Sequence, residues 1–247
     1  MKRIGIIGGM SYQSTLQYYE AINRQVNERA GGLTSADLVL RSVNSEKYYT
    51  LMEKGDWETI GSMLQEEAAN LVIYNECDYV AIATNTMHKV ADKVSGIYVS
   101  DDGYMPIRLI HIGDCIGEKC KEIDAKRVLL LGTRVTMTEK FMKKCLSGRY
   151  DIEVMGVRQF PREVDIIDHI IFDELCYGIV TPRSKEFIKD FVAKFTSGEA
   201  ARGYKPDAVI LGCTELNMIL QPEDVCIPLI DSAQVHIDKL VDLCLGE

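Results

Sequence analysis

Ala208-Val209-Ile210-Leu211-Gly212-Cys213-Thr214-Glu215 is a short apolar run that stops abruptly at a glycine, a cysteine and two polar residues. A run of this length, rich in branched side chains and closed by a glycine, reads as a buried strand feeding a turn. The same design recurs at Val128-Leu129-Leu130-Leu131-Gly132-Thr133, at Ile4-Gly5-Ile6-Ile7-Gly8-Gly9 and at Val80-Ala81-Ile82-Ala83-Thr84-Asn85-Thr86. The separation from Gly9 to Thr84 nearly equals that from Thr133 to Cys213. Two strand–turn units at matching separations predict two similar α/β halves; the alternative is that any α/β chain supplies such runs.

Working outward, strands are expected over 3–7, 37–42, 79–83, 127–131, 207–211 and 228–230. Helices are expected over 14–29, 57–77, 138–146, 165–175, 185–194 and 232–245. Apolar strands separated by helices predict parallel sheets covered on both faces. The expected domains are 1–100 with the last helix, 231–247, and 105–228, joined through the polar stretch 98–105. Ligands of open α/β sheets bind outside the carboxyl ends of the strands. All four turns lie at such ends, so Thr84 and Cys213 are expected to flank one cleft.

The 247 residues are 47% hydrophobic and 26% charged, with a formal net charge of −9. Such a balance permits a substantial core and argues against nucleic-acid binding, which needs a basic face. The start MKRIGIIGG has too short an apolar run for a signal peptide, and no stretch approaches a membrane span. A cytoplasmic protein without membrane contact is expected. The eight cysteines (Cys77, Cys115, Cys120, Cys145, Cys176, Cys213, Cys226 and Cys244) then read as free thiols. They form no C-x-x-C pair, and His88, His111, His169 and His236 are scattered, so no metal site is expected.

Gly8-Gly9-Met10-Ser11 lacks the third glycine spacing of a dinucleotide fingerprint. It is either a tight turn whose N–H groups and Ser11 hydroxyl meet a small carboxylate, or a turn that only needs a positive φ. Thr84-Asn85-Thr86 sets hydroxyl and amide groups at a strand end, to bind a ligand or to cap the next helix; His88 reads as a hydrogen-bonded structural residue. Cys213 differs from the other seven cysteines. A strand end beside a glycine, at an expected helix N-terminus, lowers a thiol pKa from about 8.5. Glu215 there either positions the loop or a ligand amine, or complements the helix dipole.

Together these segments resemble the aspartate/glutamate racemase family. The likeness runs through Gly8-Gly9-Met10-Ser11, Val43-Asn44-Ser45, Thr84-Asn85-Thr86, Gly132-Thr133, Cys213-Thr214-Glu215 and Pro228-Leu229-Ile230-Asp231, across nearly the whole chain. It implies two pseudo-symmetric α/β domains, each a parallel sheet flanked by helices, with the active site in the cleft between them. A homodimeric amino-acid racemase acting on aspartate or glutamate by Cα proton removal and return is implied, with two facing thiols and no pyridoxal phosphate, metal or nucleotide. The family's first cysteine falls here at Thr84, which leaves Cys213 on one face and a far weaker acid on the other. Gly9, Met10, Ser11, Asn85, Thr86, Thr133, Thr136, Thr214 and Glu215 fall at substrate-binding places. Lys47 is the nearest match to a basic residue that holds a side-chain carboxylate. A second basic position falls among Glu163 and Asp165, with Arg162 as the substitute, which leaves room for a neutral or basic substrate. The alternatives are a broad-specificity racemase, a one-cysteine decarboxylase or isomerase, and an amino-acid-binding protein without turnover.

Overall fold

The computed structural model describes residues 1–100, 103–200 and 203–247. Two compact units emerge, Met1–His111 with His236–Glu247, and Ile112–Val235. Asp101 and Asp102, within the stretch expected as the junction, lie outside the described residues.

The first unit holds β1 (Ile4–Gly8), α1 (Tyr12–Ala30), β2 (Leu38–Ser42), α2 (Ser45–Glu53), α3 (Trp57–Ile73), β3 (Tyr79–Ile82), a 3-10 turn (Thr86–Val90), α4 (Ala91–Val94), β4 (Gly96–Ser100), β5 (Gly103–Ile107) and β6 (Leu109–Ile110). Its sheet runs β2-β1-β3-β6 and is parallel throughout. The stretch expected as the junction instead falls within an antiparallel hairpin of β4 with β5. Two consecutive acids among polar residues suggested a linker, while strand pairing depends on partners that composition does not reveal.

The second unit holds α5 (Ile112–Glu122), β7 (Arg127–Leu131), α6 (Arg134–Thr138), α7 (Lys140–Tyr150), β8 (Glu153–Val154), α8 (Pro161–His169) with a π-turn (Ile170–Glu174), α9 (Pro182–Thr196), β9 (Ala208–Leu211), β10 (Leu229–Asp231) and the start of α10 (Ser232–Leu245). Its sheet order, β8-β7-β9-β10, repeats that of the first unit, again all parallel.

Alternation along the strands explains why both faces are covered. Leu129, Leu131, Val209 and Leu211 enter one apolar cluster with α8 and α9. Val128, Leu130, Ala208 and Ile210 enter another with α5 and α7. In the first unit Ile7, Val80 and Ile82 pack with Ile60 and Leu64 of α3, and the alternate Ile4, Ile6 and Ala81 are also fully buried. Each such side chain removed from water contributes about 1.5–3 kcal/mol before chain entropy is subtracted.

Each expected strand forms within a residue of its expected bounds, and α10 forms over 232–245 as expected. The helix expected to reach 77 stops at Ile73, because Glu76 takes a left-handed φ of 54° and returns the chain to β3. The one expected to start at 165 begins four residues earlier, where Pro161 at its N-terminus suits the fixed φ of proline. Helix α5 escaped the sequence reading because Gly113 and Gly117 depress helix propensity. Packing overrides that cost, since a side chain at Gly117 would strike the Tyr150 ring.

Beneath the first sheet lies a buried imidazole network. His236 Nε2 meets the Ile110 carbonyl at 3.0 Å, and Nδ1 meets the Tyr18 hydroxyl at 2.9 Å. A carbonyl can only accept, so Nε2 carries the proton, and a neutral ring leaves Nδ1 to accept from Tyr18. His88, also buried, sits edge-on to His111 at 4.7 Å. Burial pushes His236 down to about 4 and His88 well below the usual histidine range. A histidine with a depressed folded pKa adds stability above its unfolded value and loses it as pH falls. Wild type should therefore lose stability between about pH 6.5 and 4, relative to His236→Gln, by on the order of 3 kcal/mol. Urea unfolding midpoints of both proteins across that range check this; parallel profiles would contradict it.

Candidate active site

Thr84 and Cys213 each stand two residues beyond a central strand. β3 ends at Ile82 and β9 at Leu211, so the two residues occupy equivalent places in sheets of equal strand order. Ile7 pairs with Ile82 and Leu131 with Leu211. The ladders continue one step, with Ala83 N–H donating to the Ile7 carbonyl (2.9 Å) and Gly212 N–H to that of Leu131 (2.6 Å). Extending each register sets Gly9 beside Thr84 and Thr133 beside Cys213.

Glycines make these strand ends possible. Gly9 has φ +92°, and a Cβ there would strike the Val43 carbonyl and come within 2.7 Å of its nitrogen. Gly9 N–H donates to Thr15 Oγ1 at 2.7 Å. Met10 is buried, and its carbonyl accepts from Tyr49 Oη at 3.3 Å. Ser11 Oγ caps α1 by accepting from Ser14 N–H at 3.2 Å. The positive-φ turn expected of this loop is thus present at Gly9, and Ser11 serves in addition as the cap of α1.

Thr84, Asn85 and Thr86 are buried together. His88 Nδ1 donates to the Thr84 carbonyl at 2.8 Å and His88 N–H to that of Asn85 at 3.1 Å, which holds the turn closed. Asn85 stands at the cap position of the 3-10 turn, but its side chain makes no capping bond. Thr133 does cap α6: its Oγ1 accepts from Thr136 N–H at 3.3 Å and lies 3.1 Å from the Thr136 hydroxyl.

Cys213 is 8% exposed, and its thiol donates to Glu215 Oε2 at 3.0 Å. The Thr214 hydroxyl donates to the same oxygen at 2.8 Å. Burial pushes the Cys213 thiol well above its ordinary pKa, and the Glu215 carboxylate raises it further by charge and by accepting its hydrogen bond. This corrects the lowered pKa expected from position. The downward pull exists, from the Glu215 backbone N–H, and is outweighed. The expected helix after Cys213 is a 3-10 turn, Leu216–Met218, too short to build a macrodipole. Cys176, unmarked by any sequence feature, senses the same carboxylate. Burial and then Glu215 raise it to about 12, and it raises Cys213 in turn.

The basic candidates stand elsewhere. Lys47 is exposed on α2 and lines a groove of about 360 Å³ with Arg41, Glu66 and Glu67, which none of the strand-end residues enters. Arg162 lines a separate hollow of about 950 Å³ between α8 and α9. Glu163 pairs with Lys194 at 3.6 Å and Asp165 with Arg134 at 3.2 Å. Arg134 follows Thr133 directly and was not singled out in sequence; Asp168 also accepts from its backbone N–H at 2.6 Å. Among the described residues no group of three or more His, Cys, Asp or Glu side chains is placed to hold a metal ion. Among them, too, no helix is long and apolar enough to cross a membrane.

The family described as Asp/Glu/Hydantoin racemase matches residues 7–240. A Yersinia pestis structure described as a candidate Asp/Glu racemase is 33% identical, with a TM-score of 0.84 over 99% of this chain and 100% of the other. An aspartate racemase homologue from Pyrococcus horikoshii is 30% identical, with a TM-score of 0.76 over 99% and 100%. The aspartate racemase of Picrophilus torridus, at 20% identity and a TM-score of 0.70 over 99% and 94%, shares the fold.

The thiol–carboxylate contact yields a direct test. Glu215→Gln removes the charge that raises the Cys213 thiol, so more thiolate exists at a given pH. Iodoacetamide at pH 8, followed by peptide mass mapping, should label Cys213 about three- to tenfold faster in Glu215→Gln than in wild type. An equal or slower rate would remove Glu215 as the cause.

Proposed function

We propose that this chain, which belongs to the Asp/Glu/Hydantoin racemase family and is an amino-acid racemase, acts on aspartate or glutamate through Cys213 on one face of Cα and Thr84 on the other. The observation that carries the reading is the buried Cys213 thiol donating to Glu215 at 3.0 Å, at the end of a central strand. Racemisation needs an acid and a base on opposite sides of one carbon. Glu215 takes the thiol proton, and the thiolate removes the Cα proton that faces it. The Thr84 hydroxyl returns a proton to the opposite face and recovers its own from water, and the hydroxide so formed takes the proton held on Glu215, which restores the resting state. In the reverse direction the thiol is the donor, already protonated in the resting fold. Asn85, Thr86, Thr133, Thr136 and Thr214 donate to the substrate carboxylate as charge builds in the planar intermediate. Gly9, Met10 and Ser11 complete the binding surface. The route needs no pyridoxal phosphate, metal or nucleotide.

The homodimer implied by the family resemblance and the cytoplasmic setting expected from the sequence belong to the same proposal. Light scattering should then give twice the chain mass of 27.8 kDa.

Initial rates in deuterated water from L- and D-aspartate, L- and D-glutamate and a set of neutral and basic amino acids test the chemistry. Deuterium should enter Cα with inversion, most rapidly for an acidic amino acid. Cys213→Ala should abolish conversion of both enantiomers, and Thr84→Ala should lower it at least about a hundredfold, the usual worth of an acid–base group. The Haldane relation makes kcat/KM equal in the two directions, so asymmetry from the weak acidity of Thr84 lies in matched differences of kcat and KM and shows only near saturation. Thr84→Cys should raise the slower kcat. Carbon dioxide release without inversion would assign a decarboxylase, full activity of Thr84→Ala would remove Thr84, and a faster neutral or basic substrate would remove the acidic one.

A further inference from the structure

We propose that the cavity between α7 and the segment after β8 binds a small organic polyanion, one carrying phosphate or carboxylate groups on a partly apolar body. The cavity measures about 450 Å³, within the range of small-molecule sites. Lys140, Lys143, Lys144 and Ser147 line one wall. Their spacing of three, four and seven residues puts them on a single face of α7. Met155, Gly156, Val157 and Arg158 form the other wall, with Leu130 and Met137 among the lining. Four cations therefore surround an apolar hollow whose lining contains one carboxylate, Glu139.

The charge distribution elsewhere makes this cluster unusual. The chain carries a net −9, and its other cations often sit against acids: Arg3 on Asp37, Arg41 on Glu67, Arg127 on Glu153, Arg149 on Asp114. Among the described residues no carboxylate lies within 4.0 Å of Lys140, Lys143, Lys144 or Arg158. Lys140 and Lys144 repel at i,i+4, and three lysines near the start of a helix oppose its dipole. Among the described residues no carboxylate pairs with these four cations, whereas a polyanion would. Arg158 Nη2 donates to the Thr138 carbonyl at 2.9 Å, which tethers the guanidinium at the cavity. The apolar lining favours an organic body over a bare inorganic ion. Of the residues in the catalytic reading, Thr136 borders this cavity while Thr133, Cys213 and Thr214 do not, and none of the four cations belongs to that reading.

Calorimetric titration of the whole protein at low salt, with ADP and with citrate as probes, tests it. At least one probe should bind with Kd below about 1 mM. ADP alone would mark a phosphate ligand and citrate alone a polycarboxylate; either supports the site. The triple variant Lys140→Gln, Lys143→Gln, Lys144→Gln should bind at least about tenfold more weakly, and affinity should fall with salt. Arg158→Gln, a single change at an exposed position, should weaken binding about threefold with an unchanged Tm, and so covers a triple variant that misfolds. Failure of both probes to bind, or undiminished affinity in Arg158→Gln and the triple variant, would overturn the proposal.

Discussion

The in-register pairing of two central parallel strands, carried to their last residues, is the constraint on which each unit depends. In the second unit this requires Gly132 and Gly212. A Cβ on Gly132 would lie 2.8 Å from the Gly212 carbonyl, and one on Gly212 would lie 2.7 Å from the Leu131 carbonyl. Any larger residue would push β7 and β9 apart where their chains leave the sheet. Because the strands stay together, Thr133 and Cys213 emerge side by side. The first unit reaches the same end differently. Gly8 has Thr15 where a side chain would stand, and Gly9 turns into the left-handed region against Val43.

Everything chemical at the strand ends rides on that geometry. A thiol enclosed beside a carboxylate is a strained electrostatic choice, because burial and the neighbouring charge both disfavour the thiolate. The fold resolves it by leaving the proton on sulfur and giving Glu215 two donors, Cys213 and Thr214. The resting thiol is therefore a poised acid, and any ligand that changes the charge near Glu215 changes how readily it ionises. On the Thr84 side the supporting shell is neutral. His88 holds the backbone of that turn, and burial keeps its imidazole uncharged.

The division between readable and unreadable elements follows from range. The strands over 4–8, 127–131 and 208–211 were legible because a strand buried on both faces reads as a nearly continuous apolar run, broken here only by Arg127 at its edge. The β4–β5 hairpin, the two-residue strands β6 and β8, and α5 were not. Short strands have no periodicity to detect, and a helix with Gly113 and Gly117 is stable only because another helix packs onto it.

The sequence alone determined the α/β class, the repeated strand–turn design and the singular position of Cys213, since these rest on local pattern. Tertiary structure decided the protonation of that thiol, because burial and the facing of Glu215 depend on how the turn closes. It also gathered the buried Tyr18, His88 and His236 with the half-buried His111 into one network, joining residues far apart in the chain. Hydrophobic periodicity is written residue by residue, whereas the field at a titratable group is the sum of everything packed around it, which only the folded chain assembles.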